Sequence, residues 1–224
     1  MPKLIIANWK SNHNLETAFR WVETVGSFLK NNKIDCKLVL APPFSLVSSL
    51  SILIQAEFAN YLELAVQDLS FRGKGSFTGE VCAQNLEGLG IGYAIVGHSE
   101  RRSLKGETDQ EVAQKTIEAV RHNIVPVVCV DEGYLETQIQ LIKQEAAEAK
   151  IYFANQQLIV AYEPLEAIGS GQNAPANKVT EIVKNIKKLG DFQTKVIYGG
   201  SVKAENVAEY LAVTDGVLIG GASL

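Results

Sequence analysis

Cysteine is scarce: Cys36, Cys82 and Cys129 are the three in 224 residues, and none stands in CxxC spacing. An odd, scattered set supports neither a disulfide framework nor a zinc site, and reduced thiols fit a cytoplasmic chain. No proline-rich, serine-rich or single-charge run reads as a linker. Basic excess is absent too, with 21 Lys and Arg against 25 Asp and Glu, a net charge of −4. That leaves no overall field to draw nucleic acid, and Lys187-Lys188 reads as a solvated helix face. No window approaches the roughly 20 apolar residues of a membrane span. Leu4-Ile5-Ile6-Ala7 is too short for a signal-peptide core and runs straight into Asn8-Trp9-Lys10. These absences predict a soluble intracellular chain with neither membrane nor nucleic-acid partner. The length suits one large domain over residues 1–224, and a (β/α)8 barrel lies within that range.

Short apolar runs alternate with longer amphipathic ones from end to end. The predicted strands are Lys3–Asn8, Lys37–Ala41, Glu63–Gln67, Tyr93–Gly97, Val125–Val130, Leu158–Glu163, Lys195–Tyr198 and Gly216–Ile219. Their near-continuous Val, Ile, Leu and Ala content is what parallel strands buried on both faces require. Between them Leu15, Ala18, Phe19, Val22, Val25 and Leu29 share one helix face, and Val112, Ala113, Thr116, Ile117 and Val120 another. Thr108 with Glu111 makes a capping box before the second. Leu135, Ile139, Ile142 and Ala146 repeat the period, as do Val179, Ile182, Val183 and Ile186. Shorter helices are expected over Ser45–Leu53, Glu80–Leu89 and Ala204–Leu211. Eight strands and seven helical segments in alternation mean α/β architecture, and a closed barrel leaves no edge exposed. An open doubly wound sheet is the alternative, but no GxGxxG follows the first strand.

In such barrels the chemistry sits at the C-terminal strand ends. The first strand delivers Asn8 and Lys10, the fourth Gly97-His98-Ser99-Glu100-Arg101-Arg102 at the start of a helix, whose positive end disfavours imidazolium. The sixth ends in Glu163, a carboxylate at the rim of an apolar core and so suited to act as a general base. The third opens into Asp68–Glu80, a long loop with Gly73, Gly75 and Gly79 and no helical period. Cys129-Val130-Asp131-Glu132 reads as well as an inert thiol and a helix cap. Gly169-Ser170-Gly171, Gly199-Gly200-Ser201 and Gly220-Gly221-Ala222-Ser223 follow the last three strands. Each could be a tight turn; together they suit a cradle of backbone N–H groups for phosphate.

With Asn8-Trp9-Lys10, Gly97-His98-Ser99-Glu100-Arg101-Arg102, Tyr162-Glu163-Pro164, Ala167-Ile168-Gly169-Ser170-Gly171, Tyr198-Gly199-Gly200-Ser201 and Gly220-Gly221-Ala222-Ser223-Leu224 in this order, the chain closely resembles the triosephosphate isomerase family over its whole length. The resemblance implies a homodimer of (β/α)8 TIM barrels that interconverts dihydroxyacetone phosphate and glyceraldehyde 3-phosphate without a cofactor or metal. It implies Glu163 as base, neutral His98 as electrophile, Lys10 as fixed positive charge and Asn8 as a substrate holder. Trp9, Gly169, Ser201, Gly220 and Gly221 are implied around the substrate, with a lid within Pro164–Ala174. The loop around Thr78, within Asp68–Glu80, is implied to enter the neighbouring subunit near its Lys10. Another phosphosugar isomerase or a Schiff-base aldolase on the same barrel is the second reading, and a non-catalytic phosphometabolite-binding barrel the third.

Three departures from the family pattern stand out. Glu166 occupies a hinge position where most bacterial and eukaryotic members carry Trp and archaeal members Glu. Asp131 stands where Gly is usual, so Asp131, Glu132 and Glu166 are expected to form an acidic cluster beside the hinge. The family continues beyond the position of Leu224 into a final helix. Its loss would wet Ile5, Ala7 and outward residues among Val217, Leu218 and Ile219. The expectation is either that this chain is a truncated form of a longer protein or that a neighbouring chain or a repositioned first or seventh helix covers them.

Overall fold

The computed structural model describes residues 2–153, 158–164, 173–190 and 194–224. Eight parallel strands close into a barrel in sequence order, the last pairing with the first. They are β1 (Lys3–Asn8), β2 (Cys36–Ala41), β3 (Leu62–Val66), β4 (Ile91–Val96), β5 (Val125–Val130), β6 (Leu158–Tyr162), β7 (Thr194–Tyr198) and β8 (Gly216–Ile219). Seven α-helices accompany them among the described residues: α1 (Leu15–Asn31), α2 (Phe44–Leu53), α3 (Ser99–Lys105), α4 (Asp109–Arg121), α5 (Leu135–Glu148), α6 (Ala176–Leu189) and α7 (Val207–Val213). None is long and apolar enough to cross a membrane.

Alternation sorts each strand between two cores. Leu4, Ile6, Val39, Ala41, Ala65, Ile95, Val127, Cys129, Ile159, Ala161, Ile197 and Leu218 fill the barrel interior. Their neighbours face outward, as Val66, Ala94, Val128, Val160 and Val196 do against α4, α5 and α6. Each such Val, Leu or Ile contributes ~1.5–3 kcal/mol when fully buried. At the closing seam the backbones crowd. A Cβ on Gly216 would stand 2.0 Å from the Leu4 carbonyl oxygen, so only glycine lets β8 meet β1 there.

Two expected helices are redrawn by local bonding. Glu80–Leu89 yields only the 3-10 turn Ala83–Leu86. The Asn85 side chain accepts the Cys82 N–H at 3.2 Å, a bond that competes with helix propagation. Gly88 and Gly90, at φ 79° and 65°, then end the segment. α7 starts at Val207, after the Asn206 side chain has accepted the Lys203 N–H at 2.8 Å in a turn. Elsewhere Thr108 and Glu111 form the expected capping box. α2 runs on into a wider turn, Ile54–Phe58, whose Phe58 ring packs where a side chain on Gly26 of α1 would otherwise lie.

The outward faces of β1 and β8 are covered in part, and Leu218 faces the barrel interior instead. Ala7 and Val217 are buried, Ala7 beneath Ala18, Val22 and Leu50 of α1 and α2; Ile5 and Ile219 are half-buried.

Candidate active site

The mouth of the barrel holds a cavity of about 660 Å³ whose wall includes Asn8, Lys10, His98, Glu163, Gly199, Ser201, Gly220 and Gly221. Five strand ends supply it, as a closed parallel barrel demands. Trp9 is placed elsewhere. Between inward Asn8 and Lys10 its ring points out into the helix layer, fully buried and edge-on to Trp21 at 5.2 Å. Gly169 and Glu166, and most of the expected lid, lie outside the described residues.

Glu163 follows β6 directly and is 2 % exposed. Its Oε1 lies 3.3 Å from His98 Nε2, and its Oε2 accepts the Ser99 N–H at 3.4 Å. Burial pushes the carboxyl above its ordinary value; His98, the Ser99 N–H, the Cys129 thiol and Lys10 pull the other way. Cys129 lies in the barrel interior against this carboxylate. Burial, and next the carboxylate of Glu163, hold the thiol well above its usual range.

His98 is the N-cap of α3, and its Nδ1 accepts the Glu100 N–H at 3.2 Å. A nitrogen that accepts carries no proton, so the neutral ring presents Nε2–H to the cavity. The turn bearing it is built on Gly97, at φ 69°, where a Cβ would strike Val112 at 2.8 Å. Arg102 closes the turn from behind, donating to the Gly97 carbonyl at 2.8 Å and to Gln138 at 2.6 Å.

Lys10 reaches the mouth from a left-handed backbone, φ 53°, an uncommon state for a side chain without local help. Two side chains hold it. Asn8 accepts the Lys10 N–H at 3.0 Å, and Gln67 donates to the Lys10 and Ala41 carbonyls at 2.8 Å each. The ammonium then pairs with Glu100 at 2.7 Å. Glycines give these groups room. A Cβ on Gly199 would meet Glu163 Cγ at 2.9 Å, and one on Gly220 would meet Lys10 Cε at 3.3 Å. Ser201, also left-handed at φ 50°, stands with Gly220 and Gly221 on the far wall.

A buried carboxylate, a neutral imidazole and a fixed ammonium around one cavity can move a proton between adjacent carbons and stabilise the charge that develops. A family model described as Triosephosphate isomerase matches residues 3–224. The chain belongs to the triosephosphate isomerase family. It is 37% identical to the triosephosphate isomerase of Mesomycoplasma hyopneumoniae (strain 7448), with 100% of this chain and 95% of that relative aligned. The enzyme of Mycoplasma mobile is 39% identical, over 99% of this chain and 95% of its own. That of Polynucleobacter asymbioticus is 36% identical, over 100% and 95%.

Within this member of the triosephosphate isomerase family, sequence motifs marked Asn8, Lys10, His98 and Glu163, which line the cavity, but not the residues that support them. Gln67, Glu100 as the Lys10 partner, and Gly199 as the floor beneath Glu163 emerge only from the geometry. Gly199 had a signal, its place in the Gly-Gly turn; Gln67 had none beyond ending a predicted strand. The expected acidic cluster is resolved in part. Glu132 pairs with Lys178 at 2.6 Å and accepts from Tyr162 at 2.7 Å, and these two bonds hold its pKa low. Asp131 accepts the Gly133 N–H at 2.9 Å.

Proposed function

We propose that the chain is a triosephosphate isomerase, interconverting dihydroxyacetone phosphate and D-glyceraldehyde 3-phosphate in glycolysis and gluconeogenesis. The observation that carries this is the 3.3 Å approach of the buried Glu163 carboxylate to His98 Nε2 at the mouth of the barrel. A bound triose phosphate replaces that contact. Glu163 then removes a proton from one substrate carbon while Nε2–H of His98 polarises the carbonyl oxygen. The electron pair of the broken C–H bond forms the enediolate, whose charge the Lys10 ammonium stabilises. His98 relays protons between the two oxygens, and Glu163 returns its proton to the neighbouring carbon. No cofactor is consumed, and the redox change stays within the substrate. Asn8 orients Lys10 and the substrate, and Gly169, Ser201, Gly220 and Gly221 provide the phosphate end with backbone donors.

A cytoplasmic homodimer completes the reading. The 68–80 loop is closed at its base, where Ser70 N–H meets the Val81 carbonyl at 2.8 Å, and Arg72 lies over the Phe71 and Phe77 rings. Residues 72–80 are all exposed, which suits a projection that inserts into a second copy. The test is turnover of glyceraldehyde 3-phosphate in a coupled assay, with Glu163→Gln as the control and light scattering for mass. No turnover by the pure, folded chain sinks the enzyme reading; a monomer at micromolar concentration sinks the dimer.

A further inference from the structure

Three buried tyrosines take no part in the proton chemistry, yet they converge behind the base. Tyr162 and Tyr198 end β6 and β7, face each other in register and point out of the barrel. Each is followed by a residue of the mouth, Glu163 and Gly199, which pack on each other. Tyr198 stacks on Tyr210 of α7, ring centroids 4.1 Å apart and planes at 19°. The two hydroxyls take both backbone groups of one residue: the Ala174 N–H donates to Tyr198 Oη at 3.0 Å, and Tyr210 Oη donates to the Ala174 carbonyl at 2.9 Å.

Ala174 precedes Pro175, the N-cap of α6, whose side chain makes no capping bond. The tyrosine hydroxyls therefore hold the residue just before the N-cap, without satisfying the helix's own first N–H groups. From its first turn α6 sends Lys178 to Glu132, which in turn accepts from Tyr162. The chain of contacts thus runs from Tyr210 through Ala174, α6, Lys178 and Glu132 to Tyr162, the residue bonded to the base.

We propose that Tyr210 is a positioning residue for Glu163, its hydroxyl bracing the end of β6 through Ala174 and α6. A tyrosine there for packing alone would need the ring and not the oxygen. Burying a hydroxyl is costly unless it is satisfied, and here its bond goes to the residue just before the N-cap of α6. The kinetic consequence rests on the isomerase reading; the structural one does not.

Tyr210→Phe in the full chain keeps the stack and deletes the bond. Hydrogen exchange should speed up about fivefold or more at the Val179 amide, which donates to the Pro175 carbonyl, and at the Glu163 amide, which donates to the Val130 carbonyl. kcat for glyceraldehyde 3-phosphate should fall about five- to tenfold with KM within about twofold, the primary deuterium isotope effect on kcat rising as proton transfer slows. Tyr210→Leu, which also removes the ring, should add a loss of thermal stability. Unchanged exchange at Glu163 in Tyr210→Phe overturns the proposal whatever the activity. Parent-like kcat in an active background overturns it too. A parent chain without turnover sinks the isomerase reading, and the exchange rates then decide this one.

Discussion

Two lysine–glutamate pairs stand at opposite ends of the barrel, Lys10–Glu100 at 2.7 Å in the mouth and Lys37–Glu63 at 2.8 Å in the floor. They are alike in type, length and partial exposure, yet everything around them differs. The floor pair sits on regular strands, capped by the Tyr93 ring 5.3 Å from Lys37 Nζ. Burial lowers the Lys37 pKa, but bonds to Glu63 and Tyr93 outweigh it and the value ends raised. There the pair plugs the end of the barrel. The mouth pair is held on a left-handed Lys10, beside a left-handed Ser201, over an open cavity and a buried carboxylate. Backbone strain of this kind costs about 1–3 kcal/mol per residue and persists where the surroundings over-determine it. An ion pair is thus neutral as to role. Strain, a cavity and a buried carboxylate surround one pair and not the other, which sets the proposed site of chemistry apart from the floor.

The contrast breaks most directly at the base. Glu163→Gln should cut kcat/KM by at least roughly 100-fold, the lower end for a positioned general base. It should also stabilise the fold. The raised carboxyl contributes stability that is full below its ordinary value and is lost as pH rises through the raised one. The variant neither titrates nor pays that loss, so its melting temperature should gain on the parent's as pH rises through that window. A constant gap in melts from acid to neutral pH would contradict the burial argument. In the parent, kcat/KM should fall on acidification at a pH above the ordinary glutamate value.

The two lysines give the sharpest paired test. Lys10→Met should lower kcat/KM about 100-fold or more, since in the proposed mechanism its charge acts on the developing enediolate. Lys37→Met should leave it within about twofold and cost no more than about 1 kcal/mol in denaturant unfolding, as partly exposed pairs do. Comparable kinetic losses would erase the distinction drawn between mouth and floor.

Gly199→Ala is a smaller lever on the same end. Its methyl must displace Glu163 Cγ from 2.9 Å, and a misplaced base should lower kcat roughly tenfold with circular dichroism unchanged. Full activity would show that the carboxylate arm tolerates the shift. The smallest effect belongs to the cap of α4, which touches no residue of the cavity wall. Thr108→Ala removes the α4 capping box and should cost about 1 kcal/mol of stability while leaving kcat within about twofold.

Most of the fold was legible because it rests on local signals: buried parallel strands as short apolar runs, α1, α4, α5 and α6 as 3.6-residue periods, Thr108 and Glu111 as a cap. The misreadings share one cause. At Cys82–Leu86 and Lys203–Asn206 an asparagine side chain bonds the backbone and turns the chain before a helix can start, and periodicity does not register such bonds. Trp9 shows the other limit, since a motif names three consecutive residues while strand alternation sends only two of them to the mouth.

Sequence alone determined which chemical groups reach the strand ends, because strand periodicity and motif order place Asn8, Lys10, His98 and Glu163 there. It also determined the family, through motifs spread over the whole chain. Tertiary structure decided what those groups can do. The His98 tautomer depends on the Glu100 N–H, the burial of Glu163 on Gly199 and Cys129, and the Lys10 backbone on Gln67, contacts between residues up to 64 apart in sequence, as for the Ser99 N–H on Glu163. Apart from the local His98–Glu100 cap, such contacts form only when the barrel closes, so their energetics belong to the fold and not to any stretch of chain.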